Sequence, residues 1–160
     1  MNEQLQLLTE VTAFIWTEAD MLDHAEYQSW LALWKNDGKY IIPIDPALTD
    51  YENHLNYAYD DQHMRKLRIE RLESGEAIST QPKANTVRSV SRIRILEHDE
   101  KSVIVRCAQN LSEFRKQHLR KYTADVTYQL VRQDDEFKIQ NKVINLINST
   151  DTLAGISYIL

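Results

Sequence analysis

Five histidines (His24, His54, His63, His98 and His118) and one cysteine, Cys107, are the side chains best suited to hold a metal or act as a nucleophile. A helical metal pair wants two ligands three or four residues apart with a carboxylate nearby. No two of these histidines have that spacing. His54 and His63 flank Asp60 and Asp61, which makes one candidate site, set against plain surface histidines. A lone cysteine permits no intrachain disulfide and fits a reducing compartment. It also cannot hold an iron–sulfur cluster by itself, because such clusters take several ligands. Cys107 falls on the apolar phase of a strand pattern, as an inert core thiol would.

Asp23 is the carboxylate with the most chemical promise. With Tyr27 and Tyr40 nearby it makes a candidate pocket in which burial would raise its pKa and suit it to general-base work. The competing reading is an N-cap: Asp23 with Glu26 three residues on fits a capping box. That spacing explains the residue fully. The arginines and lysines form two clusters, Arg65, Lys66, Arg68 and Arg71, and Arg115, Lys116, Arg120 and Lys121. On residue type alone the first reads as a solvated helix face. The second reads as a strand edge guarded by charge. Tyr51, Tyr57 and Tyr59 lie in a polar segment, a pattern common at interfaces, and that segment is expected to be partly covered by another subunit. There is no glycine-rich phosphate loop and no Gly-x-Ser-x-Gly elbow.

The elements that must carry these residues change character along the chain. Leu5, Leu8, Val11, Ile15, Ala19 and Leu22 recur at three- and four-residue steps and predict an amphipathic helix. A second helix is expected from Asp23, burying Tyr27, Trp30, Leu31 and Trp34, and Trp16, Trp30 and Trp34 are all read as core. Asn36-Asp37-Gly38 signals a turn, and Tyr40 to Ile42 a short strand stopped by Pro43. Residues 45–59 read as loop with a helical turn, 60–72 as helix, and 76–85 as loop.

The second half alternates apolar and polar residues. Val90 to Leu96, Val103-Val105-Cys107, Tyr122 to Leu130, and Phe137-Ile139-Val143 predict strands of an antiparallel sheet with one covered face. Helices first and strands later is the order of an α+β fold, and 160 residues without repeats or linkers suit a single domain spanning 1–160. The net charge of -5 argues against nucleic acid or an anionic membrane as partner. No apolar run reaches the length of a membrane span, and Met1–Glu10 lacks the basic start and apolar stretch of a signal peptide. The expectation is a cytoplasmic protein.

Three stretches carry a family resemblance. The first is Glu18-Ala19-Asp20-Met21-Leu22-Asp23, then Trp30-Leu31-Ala32-Leu33, Asp37, Tyr40 and Pro43. The second runs from Asp60-Asp61 through Arg68-Ile69-Glu70-Arg71-Leu72 to Gly75, Pro82, Arg88 and Ser91. The third runs from Lys142-Val143 through Leu146 and Asn148 to Ile156 and Leu160. As an ordered set these resemble the β (small) subunits of aromatic-ring-hydroxylating dioxygenases, within the cone-shaped nuclear-transport-factor-2-like (SnoaL-like) superfamily. Arg92 departs from the family, which often has asparagine there, and the segment between Gly75 and Pro82 lacks the tryptophan many members carry. The short N-terminal extension looks like the benzoate- and anthranilate-type members.

The resemblance implies a curved antiparallel sheet with the N-terminal helices packed in its concavity. It implies no cofactor and no metal in this chain. A catalytic α subunit would hold the Rieske 2Fe-2S cluster and the mononuclear iron, with electrons from NADH through a separate reductase. The implied assembly is a trimer of β subunits within an α3β3 hexamer, with Arg65, Arg68, Arg88, Arg115, Tyr51, Tyr57 and Tyr59 as candidates for subunit contact. Relatives with this fold, such as ketosteroid isomerase and scytalone dehydratase, work inside the cone. A free-standing dehydratase or isomerase using Asp23, or a binding scaffold without a reaction, are therefore the alternatives.

Overall fold

The computed structural model describes residues 2–74, 85–147 and 159–160. The expected 76–85 loop, the Gly75 and Pro82 positions, and Asn148 to Ile156 of the third stretch lie almost wholly outside them.

Helix α1 spans Glu3–Asp23 and is capped by the Asn2 side chain, which accepts from the backbone N–H of Gln4. Its apolar stripe buries Val11, Ile15, Ala19 and Leu22, as the spacing required. Helix α2 is a single short turn, Tyr27–Leu31, entered through Ala25 in the left-handed region (φ 57°). Strand β1 then runs Trp34–Pro43, so Trp34 is a strand residue and not the end of a longer helix. A 3-10 turn at Tyr51–Asn53 leads into β2, Asn56–Asp60, and α3 follows at Gln62–Ser74. The remaining strands are β3 (Asn85–His98), β4 (Ser102–Arg115), β5 (His118–Gln133) and β6 (Glu136–Leu146).

The six strands form one curved sheet in the order β2-β1-β6-β5-β4-β3. Every ladder is antiparallel except β1 on β6, which is parallel because the two strands are joined through the rest of the domain. Val103, Val105, Cys107 and Leu111 of β4 share the core with Tyr122, Ala124, Val126, Tyr128 and Leu130 of β5. Val11, Ile15 and Leu22 of α1 close over them. The β5–β6 turn puts both Asp134 and Asp135 at positive φ, the conformation of a tight two-residue hairpin.

Two irregularities in the sheet decide which side chains face the core. Asn36-Asp37-Gly38 does not turn the chain. It lies inside β1, where the register against β6 breaks between Trp34 and Lys39. The backbones approach so closely that a Cβ on Gly38 would sit 2.9 Å from the Ile139 carbonyl oxygen and 3.0 Å from that of Gln140. Backbone atoms cannot swing aside, so Gly38→Ala should cost about 1–3 kcal/mol of stability in a denaturant titration. A wild-type midpoint would show that the strands can part there. The second irregularity is in β6. Ile139 pairs with Leu130 and Asn141 with Gln129, which leaves Gln140 as an extra residue. Side chains beyond it change face, so Lys142, Ile144 and Leu146 point inward.

Candidate functional site

The inner end of the cone is built around a carboxylate that the sequence patterning did not single out. Glu18 sits in the apolar stripe of α1 and is 1% exposed. One of its oxygens accepts from the Tyr128 hydroxyl at 2.6 Å. The other accepts from the Trp30 indole at 3.0 Å and from Lys142 Nζ at 2.7 Å. Burial on its own would raise the Glu18 carboxyl, but the Lys142 charge and the three donors outweigh it and hold the group below its usual value. Burial lowers Lys142, with Glu18 opposing, and burial beside Glu18 pushes the Tyr128 phenol up. The result is an ion pair whose groups bond one another, with one further donation from Lys142 Nζ to the Leu160 carbonyl at 3.3 Å. Cys107 lies in the same core, its thiol pushed up to about 12 by burial, as expected of an inert thiol.

Asp23 is not an N-cap. It is the last residue of α1, and the α2 cap position, Glu26, makes no side-chain cap bond. The carboxylate instead accepts from the backbone N–H of Arg88 (2.8 Å), from Arg88 Nη1 (2.5 Å) and from the Thr86 hydroxyl (3.0 Å). The capping spacing was real, but a buried arginine on β3 is a stronger partner for a charged oxygen than helix amides are. Asp23 borders an open groove between α1 and β3, lined also by Trp16, His24 and Val90. With three donors on its oxygens it anchors β3 and is poorly placed to take a proton from a ligand. Replacing it by asparagine should leave Arg88 with a weakened partner and cost about 2–3 kcal/mol, read from thermal or urea unfolding. A cost under about 0.5 kcal/mol, the size of a neutral surface change, would contradict this assignment.

The other two pocket candidates separate from Asp23. The Tyr27 hydroxyl is half-buried, and burial raises its pKa. Tyr40 is fully buried, packed edge-on against Trp30 and Trp34. Its hydroxyl accepts from the backbone N–H of Leu160, and burial raises it well above the usual phenol range.

Three of the interface candidates turn inward. Arg65 is 2% exposed, stacks 4.3 Å over the Trp34 ring and donates to the carbonyls of Lys35, Gly38 and Asp60. Arg88 is held by Asp23, and Arg115 lies largely covered against Glu113. Helical charge spacing cannot reveal that an arginine bends under its helix to tie strand carbonyls. Arg68 bonds Asp60 at 2.7 Å and is partly exposed. Tyr51 is half-buried, while Tyr57 and Tyr59 present exposed rings on the edge strand β2. Trp16 is 56% exposed, contrary to its reading as core, with its indole bonded to the Val90 carbonyl. Arg92 occupies a β3 bulge with φ 53° and pairs with Asp125. Asparagine adopts that left-handed conformation more readily than arginine does.

Among the described residues, one trio could group around a cation: Asp20, His24 and Glu26, all exposed, with ligand atoms within 4.8 Å of one another. His24 already bonds the Asp20 carbonyl and carboxylate, which raises its pKa. His54 and His63 do not gather with Asp60 and Asp61; His54 bonds the Asp50 carbonyl and Asp60 is taken by Arg68. A surface cavity of about 660 Å³ lies among Trp34, Lys35, Arg65, Lys66 and Lys138, and Glu18 does not line it. No helix among the described residues is long and apolar enough to cross a membrane.

Comparison with known proteins adds a family match, two relatives and two solved structures. The family model for the ring hydroxylating beta subunit matches residues 17–152. The small oxygenase component of the p-cumate 2,3-dioxygenase system of Pseudomonas putida is 29% identical over 136 residues, 84% of this chain and 76% of that protein. The small subunit of 2-halobenzoate 1,2-dioxygenase of Burkholderia cepacia is 26% identical over 144 residues, 87% of each. Among solved structures, the beta subunit of the benzoate 1,2-dioxygenase from Burkholderia mallei superposes with a TM-score of 0.76 at 20% identity, covering 94% of this chain and 96% of that one. A naphthalene 1,2-dioxygenase with indole bound superposes at 0.82 and 16%, covering 100% and 88%.

Proposed function

The chain belongs to the ring hydroxylating beta subunit family, and from that premise we propose that it is the non-catalytic, structural small subunit of an aromatic-ring dioxygenase. The observation that carries the structural role is the interior of the cone. Glu18, Lys142, Tyr128 and Trp30 satisfy one another there, and Asp23 is committed to Arg88. An acid–base enzyme needs at least one titratable group turned toward a ligand, and these are turned toward each other.

On this reading the redox chemistry belongs to a catalytic α subunit carrying the Rieske cluster and mononuclear iron, supplied by NADH through a reductase. The chain forms a cytoplasmic, single-domain trimer within an α3β3 assembly, a closed symmetry of the usual kind. Tyr51, Tyr57, Tyr59 and Arg68 are its remaining exposed or partly exposed contact candidates. Aromatic carboxylates of the benzoate and anthranilate type are the proposed substrates. The p-cumate and 2-halobenzoate relatives support this, as does the small subunit of anthranilate 1,2-dioxygenase of Acinetobacter baylyi, 23% identical. The benzene 1,2-dioxygenase subunit beta of Pseudomonas putida, 27% identical, is instead named for an arene without a carboxylate.

The test is co-expression of the tagged chain with its candidate α subunit. The purified complex is assayed for iron, acid-labile sulfide and arene-dependent NADH oxidation with a reductase, over benzoate, anthranilate and benzene. Activity that needs both chains, with metal and sulfide found only when α is present, is the expected result. A chain that never binds α, or that turns over a substrate alone, would refute it.

A further inference from the structure

Ile159 and Leu160 are 2% and 1% exposed, and their side chains join the central core. Their backbone is held in an unusual way. The Leu160 N–H donates to the Tyr40 hydroxyl at 2.8 Å. The Leu160 carbonyl accepts from Lys142 Nζ at 3.3 Å, and the Ile159 carbonyl accepts from the Arg88 guanidinium. These three side chains stand on β1, β6 and β3 respectively. Buried backbone normally bonds to neighbouring backbone, in a ladder or a turn. Side chains gathered from three strands reach this dipeptide's backbone, as the side chains of a binding site reach a ligand.

We propose that Tyr40, Arg88 and Lys142 form a peptide-binding site inside the cone, and that Ile159-Leu160 is its built-in occupant. One hydroxyl that accepts an N–H and two cations that donate to carbonyls match the polar groups of a short peptide. The surrounding core supplies the apolar lining for two branched side chains. A bare hydrocarbon would leave all three polar groups unpaired at a cost in affinity, and a sugar would leave the lining unfilled. The ligand class is therefore a short apolar peptide. Arg88 and Lys142 are themselves set by Asp23 and Glu18, so the recognition groups are fixed in place before the dipeptide docks.

The test uses a chain lacking Ile159 and Leu160, with acetyl-Ile-Leu-amide as the probe. The dipeptide should raise the melting temperature of the shortened chain saturably, by about 3 °C at roughly ten times its Kd. It should leave the intact chain, whose site is filled, unmoved. A folded shortened chain that ignores the dipeptide, or an intact chain that responds equally, overturns the proposal. A shortened chain that folds only with the dipeptide present supports the proposal, and one that neither folds alone nor is rescued by the dipeptide overturns it. The intact chain checks the bond on which the proposal rests. In Tyr40→Phe the Leu160 amide should exchange hydrogen about tenfold faster while the Ile41 and Ile42 amides keep their wild-type rates. A Leu160 amide that is unprotected in the wild type, or unchanged in Tyr40→Phe, also overturns it.

Discussion

Replacing Lys142 by methionine is expected to remove about 3–5 kcal/mol of stability, because it strands the Glu18 carboxylate in the core. Methionine fills much of the same volume, so the loss reports charge and not a cavity. The double variant Glu18→Leu, Lys142→Met should recover about half of it. Full recovery is not expected, since the Trp30 indole and Tyr128 hydroxyl lose their acceptor, at about 1–3 kcal/mol for an unsatisfied group. The pH dependence should change sign between the two proteins. In the wild type the folded Glu18 carboxyl lies below its ordinary 4.5, so the unfolded chain takes up the proton more readily. Its contribution is therefore present above pH 4.5 and is lost as the pH falls through the folded value. In Lys142→Met the Lys142 charge and bond are gone. Burial, the largest influence on the group, then outweighs the Tyr128 and Trp30 donors that remain and raises the carboxyl. Lowering the pH from about 7 to about 5 should therefore narrow the gap to wild type. Urea titrations at about pH 7, 5 and 3 measure both effects, the wild-type loss appearing only in the last step. A single variant within about 1 kcal/mol of wild type would mean that the pair is not buried as described.

The second large effect is expected at Arg65. Its guanidinium bonds the carbonyls of Lys35, Gly38 and Asp60 and covers Trp34. Arg65→Met keeps the stem and removes the fork. Three carbonyls near the start of β1 and the end of β2 then lose a charged donor, and a loss of about 3–5 kcal/mol should follow. Arg65→Lys should recover little, because one ammonium cannot span acceptors that a planar fork reaches together. Thermal unfolding followed by tryptophan fluorescence would show both. A lysine variant as stable as wild type would show that the positive charge is what matters and that the geometry is not.

The sheet was the most legible part of the chain. Alternation in Val103 to Cys107 and Tyr122 to Leu130 marked β4 and β5. The polar centre of the core was not legible. Phe137, Ile139 and Val143 read as one alternating phase, yet the extra residue at Gln140 swaps faces and turns Lys142 inward. The signal was present: Lys142 is in step with Ile144 and Leu146, and Glu18 is in step with Ile15 and Leu22. Each looks like a surface charge until the other is found, because only a tertiary contact offsets the cost of burying either. Strand β2 was hidden for a different reason. Its five residues, Asn56–Asp60, are too few to show a period, and only pairing with Tyr40–Pro43 makes them a strand. Asp23 misled because its local capping pattern was sound and a distant arginine outcompeted it.

Glu18 and Lys142 are separated by 124 positions, and that distance constrains how the chain is made. As the polypeptide leaves the ribosome, α1 emerges first, carrying a carboxylate that cannot be dehydrated until almost all of the sheet has followed. Early collapse of α1 onto the first strands would enclose an unmatched charge, so premature compaction is penalised. Forming the pair needs β6 and closes a loop that spans most of the fold, a late and slow kind of step. The charge at the centre of the cone is thus matched only once β6 has docked.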